Sequence, residues 1–344
     1  MVASPRIQER SFRTLALAWA LAACSASGSA AADAGEARPG DGGPTDAGPG
    51  VPTGGLTADF RQWLTAHGYD AATYARDDLT GGSFGGRTTA GETLAHNPVV
   101  FVHGNSDKAL GTMPAQDQTG WTASYEYFSQ NGYSEAELYA TTWGPADATQ
   151  ASAQYHSQAY VMQIRRFVEA VLAYTGASQV DIVAHSMGVT LARKVVLGGM
   201  ATDENTGTYN VGPPLTGSVD AFVGIAGANL GLVACYETGP ATPTCDATDG
   251  FYPGTLAGST VTGRSAYLSD LLSSQGYEGA YRYSIWSTVD ELIGFGDIVY
   301  GTPTSRLPGQ TAEIEYEASP YGHVQLKDLT GAAQLSLVRD HVVP

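Results

Sequence analysis

The sequence predicts an open α/β fold, a mostly parallel central sheet with helices on both faces. Three observations carry that expectation. Short continuous apolar runs with polar ends recur along the chain, as strands buried on both faces require. A long segment with apolar residues at helical spacing lies between two of these runs. Strand and helix patterns then alternate instead of segregating, which is how parallel sheets are built.

The elements follow in chain order. Arg6, Arg10 and Arg13 precede "TLALAWALAA", a run too short to span a bilayer as a helix but suited to the central region of a signal peptide. Directly after it, "LAAC" (21–24) resembles the lipobox of bacterial lipoproteins. On that resemblance residues 1–23 are a lipoprotein-type signal peptide and Cys24 is the lipidated mature N-terminus that attaches the protein to a membrane. The alternative is ordinary cleavage near Ala-Ala, which leaves an incidental Cys and a secreted protein. Ser25 stands where an Asp favours inner-membrane retention, so the expected place is the outer membrane or cell surface. Residues 24–55 are rich in Gly, Pro and Ala with almost no large apolar side chain. Such a stretch cannot offset its ordering entropy and reads as a flexible tether.

Residues 56–344 read as one folded unit without internal repeats. "NPVVFVHG" (97–104) and "QVDIVAHS" (179–186) are buried-strand patterns, and "QAYVMQIRRFVEAVLAYTG" (158–176) is an amphipathic helix ending at the C-cap candidate Gly176. Strand patterns recur at "VDAFVGIAG" (219–227), "YRYSIWS" (281–287) and "AEIEYEA" (312–318). A closing helix is expected through "TGAAQLSLVRDHV" (330–342). With 43% hydrophobic residues the 344-residue chain can bury a large core. A formal charge of −17 argues against nucleic acid or an anionic membrane surface as partner, because phosphate binding needs clustered Lys and Arg.

"VDIVAHSMG" (180–188) carries the chemistry. In a nucleophile elbow a serine sits on a tight strand-to-helix turn, and the residues two before and two after it are small so that strand and helix can cross. Ala184 and Gly188 meet that demand around Ser186, with a strand before it and "MGVTLARKVVLGG" as a helix after it. "GGSFG" (81–85) matches the five-letter pattern in full, yet no strand enters it and no helix pattern leaves it, so it reads as a loop.

A serine is a weak nucleophile at neutral pH and needs a base, oriented by a carboxylate. After such an elbow they follow in the order Ser, acid, His. Two histidines lie beyond Ser186. His323 sits in a Gly-containing loop after the last strand pattern and is the preferred base, whereas His341 stands at what reads as a frayed helix end near the C-terminus. Asp290, just past "YRYSIWS", is the preferred acid, since sites on open α/β sheets form at the carboxyl ends of strands. Asp297 is its rival and Glu291 a third candidate. His185 reads as packing beside the elbow. Backbone N–H donors for the developing oxyanion are expected from Met187, after the nucleophile, and from Asn105 in "FVHGN" (101–105), where His103 reads as structural.

"PVVFVHGN", "VDIVAHSMG", "YSIWSTVDELI" and "YGHVQLKD" together resemble the bacterial lipase class of α/β-hydrolases, including the lipase-like extracellular polyhydroxybutyrate depolymerases. The resemblance covers most of residues 56–344. It implies the α/β-hydrolase fold, Ser186, Asp290 and His323 as catalytic residues, and no cofactor. One departure is "GIAGANLGL" (224–232), where many lipases carry a Pro-His pair and this chain has Asn229 and Leu230.

Cys235 and Cys245 flank a short loop, and in an exported protein a lone pair of this kind is expected to be a disulfide. Too few Cys and His lie near it for a metal site. The pair falls in a Gly- and Tyr-rich insertion (228–280) with Tyr236, Phe251, Tyr252 and Tyr267 as aromatic members, each readable as loop core or as substrate platform. Three functions are compatible with these features: a hydrolase of lipid esters, a polyester depolymerase with the same triad, and a surface-binding lipoprotein that keeps the fold without turnover.

Overall fold

The computed structural model describes residues 54–113 and 118–344. The signal peptide, Cys24 and all but the last two residues of the tether lie outside the described residues.

The central sheet has eight strands: β1 (Gly55–Leu56), β2 (Ser83–Gly85), β3 (Val99–Val102), β4 (Leu138–Thr141), β5 (Val180–His185), β6 (Val219–Ile225), β7 (Tyr281–Ser287) and β8 (Ala312–Tyr316). Their order is β1-β2-β4-β3-β5-β6-β7-β8. β2 runs antiparallel to β4, and from β4 to β8 every pairing is parallel. The loops leaving β3, β5, β6, β7 and β8 therefore share one edge, where sites on such sheets form.

Six helices matter for the site: α1 (Ala58–Ala66), α2 (Thr122–Gln130), α3 (Gln158–Thr175), α4 (Met187–Leu197), α5 (His323–Asp328) and α6 (Gly331–Leu335). Strand side chains alternate between two cores. Val100, Val102, Ile182, Ala184 and Phe222 pack with α1, α3 and α4. Val99, Phe101, Val183, Val223 and Ile285 pack with α2, α5 and α6. α3 starts where the Ser157 hydroxyl accepts the Tyr160 N–H at 3.3 Å and stops at Gly176, whose φ of 74° suits a residue without Cβ. It buries Val161, Ile164, Phe167, Val168 and Val171. Each contributes about 1.5–3 kcal/mol before the entropy of ordering is subtracted.

Two expectations are corrected. "GGSFG" is not a loop. Ser83–Gly85 form β2, paired on both sides, with the buried Ser83 hydroxyl donating to the Ala75 carbonyl at 2.7 Å. Three glycines hid the strand, yet they let neighbouring backbone approach: a Cβ at Gly81 would sit 2.4 Å from the Leu110 carbonyl oxygen. The second correction concerns the chain's end. It is helical through Asp340, but Ser336–Asp340 is a π-turn, and His341 is not frayed. Its ring stacks on Tyr281 at 3.7 Å and its Nε2 lies 3.2 Å from Asp220. Both partners belong to the amino-terminal ends of β6 and β7, the edge opposite Ser186.

Candidate active site

Ser186 occupies a strained turn. Its φ of 53° and ψ of −128° lie where side chains with a Cβ are rarely found, and such conformations persist only where surrounding structure over-determines them. Here β5 enters the turn, α4 leaves it, and the Ser186 N–H donates to the Ile225 carbonyl of β6 at 2.8 Å. Between residues 180 and 196 only Ser186 is partly exposed; its neighbours on both sides are buried.

The small residues around it have a measurable reason. A Cβ at Gly188 would come within 2.3 Å of the His103 carbonyl oxygen and 2.5 Å of that of Val102. One at Gly104 would meet Ser186 Cβ at 2.9 Å. The His103-Gly104 loop thus lies directly against the elbow. Ala184, on β5 between Val102 and Gly224, is fully buried.

His323, expected in a loop, instead opens α5 at the same sheet edge, with Gly322 as its N-cap, and Asp290 lies in the loop after β7. Asp290 Oδ2 accepts from His323 Nδ1 at 2.7 Å. The other carboxylate oxygen accepts the Leu292 and Ile293 N–H groups at 2.9 and 2.8 Å, which fixes the carboxylate's orientation. Both side chains are buried. Glu291, the third candidate acid, holds the same histidine by its backbone: Oε2 accepts the His323 N–H at 3.0 Å. Asp297, the rival, is turned elsewhere. It accepts from the Ser305 hydroxyl at 2.7 Å and the Ser305 N–H at 3.2 Å, and burial pushes its carboxyl up to about 7.

The remaining histidines nearby are structural. His185 is buried, which drives its ring well below the ordinary histidine range, and its Nε2 donates to the His323 carbonyl at 3.1 Å. His103, lowered by burial to about 4, donates from Nδ1 to the Gly104 carbonyl at 2.7 Å and accepts the Trp143 N–H on Nε2 at 3.1 Å. Its ring stacks on the Trp143 indole.

The loop expected to supply an oxyanion donor is held by side chains. Asn105 Nδ2 donates to the Ala151 carbonyl at 2.9 Å, and that carbonyl also accepts the Thr244 hydroxyl at 2.9 Å. Thr244 adjoins Cys245, which is disulfide-bonded to Cys235. The insertion is therefore tied, through one shared acceptor, to Asn105. Met187 begins α4, where a backbone N–H has no intrahelical acceptor. Within the insertion Phe251 and Tyr267 are buried core residues, Tyr252 packs against the core, and Tyr236 is exposed. Asn229 is fully buried: its Oδ1 accepts from Arg193 at 3.0 Å, and its Nδ2 donates to the Ser305 carbonyl at 3.2 Å. It serves packing instead of lining a substrate site. Among the described residues no group of three or more His, Cys, Asp or Glu is arranged to hold a metal, and no helix is long and apolar enough to cross a membrane.

Sequence reasoning missed Glu291's backbone contact and the buried pair Asp107–Lys327, 3.0 Å apart, which joins the Asn105 loop to α5. The sequence carried no signal for the pair, because the helix that places Lys327 one turn beyond His323 is seen only in the structure.

Sheet order, elbow and Asp–His pair define an α/β-hydrolase. The chain belongs to the class 2 lipase family, whose model matches residues 96–336. Lipase B of Aspergillus fumigatus is similar at 14% identity, over 75% of this chain and 56% of that one, with a TM-score of 0.47. The mature lipase BlEst2 of Bacillus licheniformis is similar at 15% identity, over 74% of this chain and 97% of that one, also at 0.47. This chain thus spans little more than half of the fungal lipase. The protein is a lipase- or esterase-type α/β-hydrolase.

Proposed function

We propose that the protein is an exported serine carboxylic-ester hydrolase acting through an acyl-enzyme on Ser186. The observation that carries this reading is the Asp290–His323 hydrogen bond of 2.7 Å at the sheet edge where Ser186 sits on its strained turn. The Asp290 carboxylate accepts a hydrogen bond from Nδ1–H, so Nε2 is the basic nitrogen of the ring. Ser186 Oγ attacks the ester carbonyl carbon while His323 Nε2 takes the Oγ proton. The negative charge that forms on the carbonyl oxygen is met by the N–H groups of Asn105 and Met187. Collapse breaks the bond to the alcohol oxygen, which receives the proton from His323. Water then repeats the sequence on the acyl-enzyme and releases the acid.

The experiment is Ser186→Ala. Hydrolysis of p-nitrophenyl butyrate is expected to vanish with circular dichroism unchanged, and wild type should release a burst of p-nitrophenol. Retained turnover in the folded variant overturns the reading.

A polyester depolymerase with the same triad is the second reading. It is favoured by the apolar side chains on the acid loop, Val289, Leu292 and Phe295, which are 40%, 47% and 57% exposed. Exposed apolar surface beside a site suits an aggregated or polymeric ester. Rates on triglyceride emulsion against amorphous polyester granules separate the two. Export and anchoring rest on the lipobox resemblance at Cys24. Cys24→Ser is expected to release the protein from the membrane fraction, and unchanged fractionation without lipid on the N-terminal peptide overturns anchoring.

A further inference from the structure

Lys327 is a cation without exposed surface, one helical turn beyond His323 on α5. A buried ammonium is costly unless its donors are paired and a counter-charge is at hand. All three of its donors are used. Lys327 Nζ donates to Asp107 Oδ2 at 3.0 Å, to Thr119 Oγ1 at 2.8 Å and to the Gly120 carbonyl. It also lies 5.5 Å from the centroid of the Trp121 ring and 3.3 Å from Asp328.

Asp107 is the other end of this contact, and it belongs to the Asn105 loop. Its N–H donates to the Gly104 carbonyl at 3.3 Å, closing the turn that contains Asn105 and Ser106, the latter at a φ of 63°. Asp107 Oδ1 accepts the Lys108 N–H at 2.9 Å and the Gly120 N–H at 3.0 Å. The buried pair therefore bolts the oxyanion-side turn to the helix that starts with His323, 220 residues away in the chain.

Stability is a poor reason for such a pair. Well-packed apolar residues of the same volume often stabilise a fold as well or better. What an ammonium bonded in three directions provides is a single position, whereas an apolar contact between the same elements can slide. Acyl transfer depends on that position, because misplacement by about 1 Å can cost about 10²-fold in rate.

We propose that Lys327 and Asp107 are a positioning pair that fixes the oxyanion donors of the 104–107 turn relative to the His323 base. This rests on the serine-hydrolase reading above. Neither residue touches the reacting atoms, and both act through the elements they join.

The test uses Lys327→Met, which keeps side-chain length without charge or donors, and Asp107→Asn, which keeps shape. Active serines are titrated with a p-nitrophenyl phosphonate, and p-nitrophenyl butyrate turnover is expressed per titrated site. In each variant kcat per site is expected to fall about 10- to 100-fold with KM within about threefold of wild type. The double variant should be little worse than either single one. Wild-type kcat per site in the folded variants, with losses only in the number of titratable sites or in Tm, overturns the proposal, as does failure of both single variants to fold. A wild-type protein that the phosphonate does not label overturns the serine-hydrolase reading instead, and this one with it.

Discussion

Asp290 and His323 are 33 residues apart in the chain and 2.7 Å apart in space, joined by a bond from imidazole Nδ1 to carboxylate Oδ2. The Leu292 and Ile293 amides hold the second carboxylate oxygen, so the acceptor facing the ring has one orientation. Asp290→Asn keeps the shape but presents an amide that can turn its N–H₂ toward Nδ1 and favour the wrong tautomer. A loss in kcat of about 10²- to 10⁴-fold is expected, with the fold intact. Asp297→Asn, whose residue bonds Ser305, should cost less than about tenfold. Steady-state kinetics of the two variants decides the matter, and the reverse ranking moves the acid to Asp297.

What the sequence made legible, and what it did not, follows from how locally each feature is encoded. β7 matches "YRYSIWS" residue for residue, and α3 begins at Gln158 and ends beside Gly176, because burial pattern and caps are written within the segment. The order in which such sites are assembled pointed to Ser186, Asp290 and His323, and the structure brings the last two within 2.7 Å of each other. β2 was not, since three of the five residues in "GGSFG" are glycines and its strand conformation comes from β1 and β4 pairing on either side. Lys327 and Asp107 were not either. Nothing in "HVQLKD" marks a lysine as buried; its partner is fixed only once β3 and α5 are brought to the same edge of the sheet.

Gly188 tests the close crossing of strand and helix. A methyl group there points at two backbone carbonyl oxygens, those of His103 and Val102, which cannot rotate away. Gly188→Ala is expected to cost at least about 2 kcal/mol in urea unfolding and to displace the His103-Gly104 loop, lowering kcat as well. A variant as stable and active as wild type would mean that this crossing is looser than described.

Asn105 separates the proposed backbone oxyanion donor from the side chain that steadies it. Asn105→Ala keeps the N–H but loses the bond to the Ala151 carbonyl, which Thr244 also uses. A fall in kcat of about three- to tenfold is expected with KM nearly unchanged. Reduction of Cys235–Cys245 should act in the same direction, since it loosens the loop that presents Thr244. Kinetics with and without dithiothreitol checks this, and Asn105→Ala should blunt the effect of the reductant.

Burial raises the Asp297 carboxyl from 3.8 to about 7, so the folded chain holds that proton more tightly than the unfolded one. The stability drawn from it is complete below about pH 4 and is lost as pH rises to about 7. His103 and His156, lowered by burial to about 4 and about 3, work the other way: their contribution is present above about pH 6.5 and lost on acidification. The wild-type curve mixes these opposing slopes, but the difference between wild type and Asp297→Asn isolates one carboxyl. That difference should move in favour of the variant by a few kcal/mol, on the order of magnitude, between pH 4 and pH 8. Urea midpoints at the two pH values measure it, and a pH-independent difference shows that Asp297 is ionised in the fold throughout.

The two histidines beyond Ser186 offer a test that depends on placement alone. His323 is buried against Asp290 at the carboxyl edge of the sheet, while His341 stacks on Tyr281 and faces Asp220 at the opposite edge. His323→Ala removes the proposed base and should lower kcat by about 10³-fold or more, with KM little changed. Combining it with Ser186→Ala should add almost nothing, because residues that work as one unit lose their function together. His341→Ala should leave kcat within about twofold, since no reacting atom lies at that edge. It loses instead the stacking on Tyr281 and the contact with Asp220, a partly exposed pair worth about 1 kcal/mol. Its signature is then a small drop in Tm with full activity. Kinetics and melting curves of the two single variants read both effects at once. A His341 variant as inactive as the His323 variant would place the base at the wrong edge of the sheet.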